Sequence, residues 1–236
     1  LEGRLPMQRV TDSGLFVLKL SAAEFKQIPK HYDVHWDDHN GSTYSQVSPY
    51  SFDVLLGELD LHLFAEGQHW QIYEHLGAKP VLIDGISGVR FAVWAPSAER
   101  VSVVGDFNGW HGFRHPMRSR GSSGVWEIFI PGLQQGDNYK FEIRNTNTGD
   151  VFGKTDPYAR AMELRPLTSS YVFDSSYQWR DADWLEQRAG FAWHQQPVSI
   201  YEVHLGSWQR DDAGGFLNYR EIAHRLVEYV KWMGYT

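Results

Sequence analysis

Two stretches of this chain repeat one another at an almost constant spacing, and that repeat restricts the possible folds more than any other feature. Arg4-Leu-Pro-Met-Gln8 corresponds to Arg114-His-Pro-Met-Arg118, and Gly14-Leu-Phe-Val-Leu18 to Gly124-Val-Trp-Glu-Ile128, both at an offset of 110. Further on, Tyr32-Asp-Val-His35 corresponds to Tyr139-Lys-Phe-Glu142 and Ser48-Pro-Tyr50 to Asp156-Pro-Tyr158, with the offset drifting to 107 and 108. Short segments of alternating polarity, each closed by turn residues, fill both copies. That is the pattern of antiparallel β-sandwiches. The second copy, residues 77–176, carries a full set of such segments. The first, residues 1–50, has only the counterparts of the later ones, so it is expected to be the second half of a module whose front half would precede Leu1. Half a sandwich leaves an open apolar face and unpaired edges.

Expected strands are 14–20 and 32–36 in the front segment, then Gly88–Trp94, Arg100–Val104, Val125–Ile130 and Tyr139–Ile143. Between them, Phe52, Leu55, Leu56, Leu59 and Leu63 follow i, i+3, i+4, i+7, i+11. This spacing predicts a helix over 52–63, stopped by Gly67, inside a connecting segment 51–76. The pattern changes after residue 176. Asp181–Arg188 reads as a short helix. Val198-Ser-Ile-Tyr-Glu-Val-His-Leu205, dense in β-branched and aromatic residues, reads as a strand. Ile222, Leu226, Tyr229, Val230 and Met233 trace an amphipathic helix, with Asn218 and Glu221 as a capping box and Gly234 as the stop. Strand, loop and helix over 177–236 form the opening of a βα repeat with no second strand to pair with.

Composition removes whole classes of function. The chain has no cysteine, so disulfide frameworks, thiolate metal sites and cysteine nucleophiles are excluded. Its net charge of −7 lacks the basic footprint that nucleic-acid binding needs. No run approaches the roughly 18 apolar residues of a membrane span, and no signal peptide is visible. The reading is a cytoplasmic, monomeric, membrane-free protein. Phosphate-loop, dinucleotide-binding and nucleophile-elbow patterns are all missing, so no cofactor is expected.

Three groups of side chains invite a chemical reading. His31, His35 and His39 have metal-like spacing, but a strand over 32–36 and a turn at Asp37-Asp-His-Asn-Gly41 make them surface histidines instead, and no metal is expected. Glu202 and His204 share one strand face, which fits either acid–base work or a packed layer. Gly105-Asp-Phe-Asn-Gly-Trp110 is sharper. Asn108-Gly109 forms a turn, and Trp110 after it either displays its ring for stacking on sugar rings, with Asn108 and Lys140 bonding hydroxyls, or caps the sandwich core.

Gly88–Pro96, Val101–Trp110, Tyr139-Lys-Phe141 and Asp156-Pro-Tyr158 together resemble the family-48 carbohydrate-binding module. Ser199-Ile-Tyr-Glu-Val-His-Leu-Gly-Ser-Trp208, with Tyr219-Arg-Glu221 and Lys231-Trp-Met-Gly234, is similar to the first barrel strand and helix of bacterial 1,4-α-glucan branching enzymes. The resemblance covers nearly the whole chain. Ser48-Pro-Tyr50 departs from it, since the family pattern has Asp-Pro-Tyr there. It implies a mainly β chain: a partial and then a complete immunoglobulin-like β-sandwich, followed by the first βα unit of a truncated (β/α)8 barrel. It also implies a retaining glucanotransferase acting on α-glucan. That chemistry needs two carboxyl groups roughly 5–5.5 Å apart. In the family they lie on later barrel strands, so no catalytic residue is assigned here. Trp110 and Lys140 are implied as glucan contacts, and Tyr201 as a residue near the substrate cleft. Competing readings are a non-catalytic glycogen-binding module and the front of a debranching enzyme. The βα unit counts against the first. Leu205-Gly-Ser-Trp208 and the doubled front module count against the second.

Overall fold

The computed structural model describes residues 3–12, 14–37 and 40–236. They fall into two compact units, Leu1–Ser176 and Tyr177–Thr236. The first begins with β1 (Gln8–Arg9), β2 (Phe16–Val17), helix α1 (Ala22–Phe25), β3 (Asp33–Asp37) and β4 (Thr43–Val47). Strands β1 and β2 pair antiparallel through Gln8↔Val17 and Arg9↔Phe16, and β3 and β4 form a hairpin from Asp33↔Val47 to Asp37↔Thr43. Ser21 and Glu24 cap α1 reciprocally. None of the described residues before Ser48 is buried, and Leu15, Phe16, Phe25, Trp36 and Tyr44 are all exposed.

Helix α2 (Glu58–Ala65) leads into β5 (Gly77–Ile83), β6 (Ile86–Trp94), β7 (Ala98–Val104), β8 (Arg118–Ser119), β9 (Val125–Pro131), β10 (Asn138–Asn145), β11 (Val151–Lys154), β12 (Ala161–Met162) and β13 (Ser170–Tyr171). One sheet has the order β5-β6-β9-β8. In the other, β10 pairs with β7, β11 and β13, and β13 with β12. Arg118↔Glu127 and Ser119↔Trp126 join β8 to β9. This register is that of β1 and β2 displaced by 110 residues. The sequence repeat is thus also a repeat of backbone pairing.

Alternation decides the core. Val89, Phe91, Val93, Ile128 and Ile130 from the first sheet meet Val101, Val103, Tyr139 and Phe141 from the second, with Met117 and Val172 closing the cluster. The opposite face of the first sheet is covered as well. Leu56, Leu61 and Leu76 pack there on Ala92 and Val125, joined by Phe64, Ile72 and Tyr158. Phe52 lies edge-on against Phe129, with ring centroids 4.5 Å apart.

This cover is fastened by charge. Glu127, fully buried in the middle of β9, accepts hydrogen bonds from the backbone N–H groups of Leu55 (3.0 Å) and Leu56 (2.9 Å). Arg120 Nη1 lies 3.2 Å from Glu127 Oε1 and donates to the Leu56 carbonyl at 2.6 Å. Its Nη2 pairs with Glu58, while Arg118 donates to the Phe52 carbonyl at 2.9 Å. Here the structure corrects the helix expected over 52–63. Phe52, Leu55 and Leu56 lie in extended or irregular backbone, and α2 starts only after the N-cap Gly57. The amide hydrogens that a helix would have used are taken by a carboxylate of the sheet. Leu59, expected on the apolar face, is exposed, whereas Gly67 does end the helix region with a positive φ of 69°.

In the second unit, α3 (Ala182–Ala189) follows Asp181, α4 covers Leu205–Trp208 and α5 covers Tyr219–Trp232. The expected capping box is present, with Asn218 Oδ1 accepting from the Arg220 and Glu221 amides and Glu221 Oε2 from Asn218 N. Ile222 is the buried residue of α5. The expected strand over Val198–Leu205 is not formed: 198–204 carries no ladder pairing, and Leu205 begins α4. A barrel strand is held by hydrogen bonds to neighbours on either side, and no such neighbour exists among the described residues. The chain as described is mainly β with sandwich-like sheets.

Replacing Glu127 with Ala should destabilise the chain by about 3–5 kcal/mol, because Arg120 is left buried beside two orphaned amides. Urea unfolding of parent and variant measures this, and a loss below about 1 kcal/mol would show that the clamp is dispensable.

Candidate functional site

The loop from Gly105 to Phe113 crosses one end of the second sheet, and Asn108 is the reason for its shape. Its side chain is 1% exposed. Asn108 Oδ1 accepts from Gly105 N (3.1 Å), and Nδ2 donates to the Val103 carbonyl (2.9 Å) and lies 2.8 Å from His115 Nδ1. With both ends of its amide engaged in the interior, Asn108 cannot bond a ligand hydroxyl. This corrects the sequence expectation, and Asn108 is a positioning residue.

The loop then turns through two consecutive left-handed residues, Gly109 at φ 62° and Trp110 at φ 59°. Glycine takes this conformation freely, but tryptophan does so at a cost that its surroundings must repay. The Trp110 amide donates to the Gly105 carbonyl at 3.0 Å, and its indole Nε1 donates to Asp106 Oδ1 at 2.7 Å. Asp106 Oδ2 in turn accepts from Asn138 Nδ2 at 2.8 Å. Asn138 and Lys140 are two residues apart on β10 and therefore face the same way, outward from the core that Tyr139 and Phe141 enter. A chain of hydrogen bonds thus ties the indole to the face that carries Lys140. The Trp110 residue is 39% exposed, so its ring does not close the sandwich core. Lys140 Nζ donates to Thr168 Oγ1 at 2.7 Å.

Farther along the same face, Arg100 and Glu142 pair at 2.6 Å, and the Arg100 guanidinium lies 4.4 Å from the Phe113 ring centroid. A Cβ on Gly112 would meet the Glu142 carboxylate, so the loop passes close against that side chain. Phe113 is 73% exposed and Trp110 stands three residues before it. Asp106 and Phe113 were not anticipated. The i, i+4 spacing of Asp106 and Trp110 within a turn was the only available signal for the first, and nothing marked the second.

Below the loop, His115 is buried, and its imidazole is pushed down to about 4, chiefly by desolvation with the Arg114 charge adding to it. At the other end of Tyr139, the phenol donates to Asp156 Oδ2 at 2.5 Å, while Asp156 Oδ1 accepts from Tyr158 N at 2.8 Å. Burial raises the Asp156 carboxyl above its usual range and holds the Tyr139 phenol well above its own. The repeat departs here for a visible reason. Tyr32, the counterpart of Tyr139, is 40% exposed and has no buried hydroxyl for an acid to receive, and Ser48 meets it with a backbone bond of 2.9 Å to the Tyr32 carbonyl.

The remaining expected residues are placed as follows. Tyr201 belongs to the second unit, where its hydroxyl accepts from Trp208 Nε1 at 2.9 Å and its ring meets Tyr229 and Tyr235. His204 Nδ1 bonds Ser207 Oγ at 2.8 Å, and Glu202 is exposed. His31 is held by Ser51 and Asp84 and stacks on Phe52, His35 is exposed on β3, and His39 lies outside the described residues. Among the candidates, Asn108 shapes the loop that carries Trp110, and Lys140 stands on the strand face to which Asp106 and Asn138 tie the indole.

Residues 75–159 match the model of carbohydrate-binding module 48, the isoamylase N-terminal domain. Over its whole length the chain is 61% identical to the 1,4-alpha-glucan branching enzyme GlgB of Hydrogenovibrio crunogenus and spans 32% of it. It is 60% identical over 89% of its length to the GlgB of Cellvibrio japonicus, spanning 29% of that protein. The chain thus covers about a third of the length of these relatives. Among solved structures, PulA from Klebsiella pneumoniae aligns with 42% of this chain and 9% of its own at 28% identity, with a TM-score of 0.35.

His115 makes stability depend on pH. The folded imidazole titrates near 4 and the unfolded one near 6.5, so below about pH 6.5 the unfolded chain binds a proton that the folded chain refuses. Stability should fall by about 3 kcal/mol as pH drops from 6.5 to 4 and should be insensitive to this group above 6.5. His115→Gln should flatten that part of the curve. Parallel Tm–pH profiles of parent and variant check it, and identical slopes would refute it.

Proposed function

We propose that this chain is the amino-terminal part of a 1,4-alpha-glucan branching enzyme, and that its sandwich meets α-glucan with Trp110 and Lys140. The observation that carries the reading is identity of 61% along the entire chain to a protein of that name, with the module match falling on the sandwich that displays Trp110. In this reading, residues 1–50 are the second half of a front sandwich, 51–76 the connecting segment, 77–176 the carbohydrate-binding sandwich and 177–236 the start of a (β/α)8 barrel. The capped helix α5 supports the last assignment. The barrel strand 198–205 would pair once its neighbours are present.

The whole enzyme would cut an α-1,4 glucan through a covalent glycosyl intermediate and pass the chain to a 6-hydroxyl. Such retaining chemistry takes one carboxylate as nucleophile and one carboxyl as acid and base. In this reading both lie on later barrel strands, and the residues of this chain bind and orient. Trp110 offers the apolar face on which a sugar ring stacks, and Lys140 offers a cationic donor to hydroxyls. Asn108 and Asp106 hold the indole in its strained conformation. A neutral polymer asks for no electrostatic steering, which suits a chain of net charge −7.

Trp110→Ala should weaken retention in a glycogen-containing native gel by about tenfold, the loss of roughly 1.4 kcal/mol of stacking. Migration identical to the parent would remove Trp110 from the binding face. The 236-residue chain alone should leave the iodine colour of amylose unchanged. A spectral shift by the purified chain would place the reaction in these residues and overturn the assignment to later strands.

A further inference from the structure

We infer that Asp60, His69 and His75 form a binding site for one zinc-class divalent cation on the flank of the carbohydrate-binding sandwich. Asp60 lies in the first turn of α2, His69 in the segment after it and His75 two residues before β5. Asp60 Oδ1 is 2.9 Å from His69 Nε2 and 3.4 Å from His75 Nε2, and the three atoms all fall within 4.8 Å of one another. Zinc bonds of about 2.0–2.1 Å in tetrahedral geometry place neighbouring ligand atoms about 3.3 Å apart. Two of the three spacings already lie near that edge length, and a small rotation of either imidazole brings in the third.

The donor set points to a class of ion. Two imidazole nitrogens and one carboxylate suit zinc and its transition-metal neighbours, whereas calcium and magnesium take oxygen ligands. Three protein ligands leave a fourth position for water or an exchangeable anion. The cluster is also set firmly. The His69 side chain is only 8% exposed, the two imidazoles stand 4.9 Å apart, and Arg90 Nη2 donates to the carbonyls of Glu74 (2.9 Å) and His75 (3.3 Å), fixing the backbone that carries the third ligand. All three ligands come from one stretch of 16 residues, 60–75, the same stretch that covers the outer face of the first sheet. A bound ion would therefore join both ends of that cover.

Equilibrium dialysis of the 236-residue chain against Zn²⁺ tests the site. One zinc per chain is expected, with Tm rising by about 5–10 °C at a hundredfold excess of free ion over Kd. Co²⁺ in place of Zn²⁺ should give the intense visible absorption of a four-coordinate site. The double variant His69→Gln/His75→Gln keeps amides that can donate to Asp60 but should lose zinc affinity by at least about 100-fold. Asp60→Asn should weaken it by about tenfold or more, and His35→Gln should bind as the parent does. The inference is overturned if the parent retains no zinc, or if the double variant retains as much as the parent. Loss of zinc on His35→Gln alone would assign the ion elsewhere and overturn it equally.

Discussion

One buried carboxylate organises the first unit. Glu127 lies in the middle of a strand whose neighbours on the same face, Val125 and Phe129, are apolar and buried. An ionised group in such surroundings is tolerated only when its hydrogen-bonding capacity is met. Water cannot meet it there, so Arg120 and the amides of Leu55 and Leu56 do. This requirement fixes the path of residues 52–58, holds α2 away from the position its leucines suggest, and brings Leu56, Leu61 and Leu76 onto the sheet. The cover in turn assembles Asp60, His69 and His75 at its edge.

The cover lies on the first sheet, and the loop that displays Trp110 belongs to the second. The outward face of β7 and β10 carries Arg100, Lys140 and Glu142, and the loop from Gly105 to Phe113 crosses its end. The loop depends on the interior through Asn108, whose amide replaces the backbone partners that an irregular segment lacks. Trp110 is thereby kept in a left-handed conformation it would not choose in a free chain. Strain of this kind persists where the surroundings over-determine it, and here they do so with an exposed aromatic ring.

Much of this was legible in the residues. The repeat at an offset of 110 was visible in the residues, and the structure adds that the pairing Gln8↔Val17 recurs as Arg118↔Glu127. The capping box at Asn218 and Glu221 and the stop at Gly67 are local chemistry and appeared where expected. The misreadings share one cause. Phe52, Leu55 and Leu56 have helical spacing, yet a carboxylate 71 residues away from Leu56 takes the amides of Leu55 and Leu56. Asn108 looked like a ligand contact because a turn asparagine is commonly exposed, and only the fold shows the core beneath it. Val198–Leu205 has strand composition, but a strand is a relation between segments.

By itself, then, the sequence determined the sandwich strands near 88–94, 100–104, 125–130 and 139–143, their alternation, the caps of α5 and the candidate Trp110, since each rests on contacts between near neighbours or on period-two burial. Tertiary structure decided which polar groups are buried and which are left exposed. Glu127, Asn108, Asp156 and the trio Asp60, His69 and His75 acquire their roles from partners brought close only by folding. The physical reason is that burial and hydrogen-bond satisfaction are properties of a residue's surroundings, and those surroundings come from segments that the local sequence does not contain.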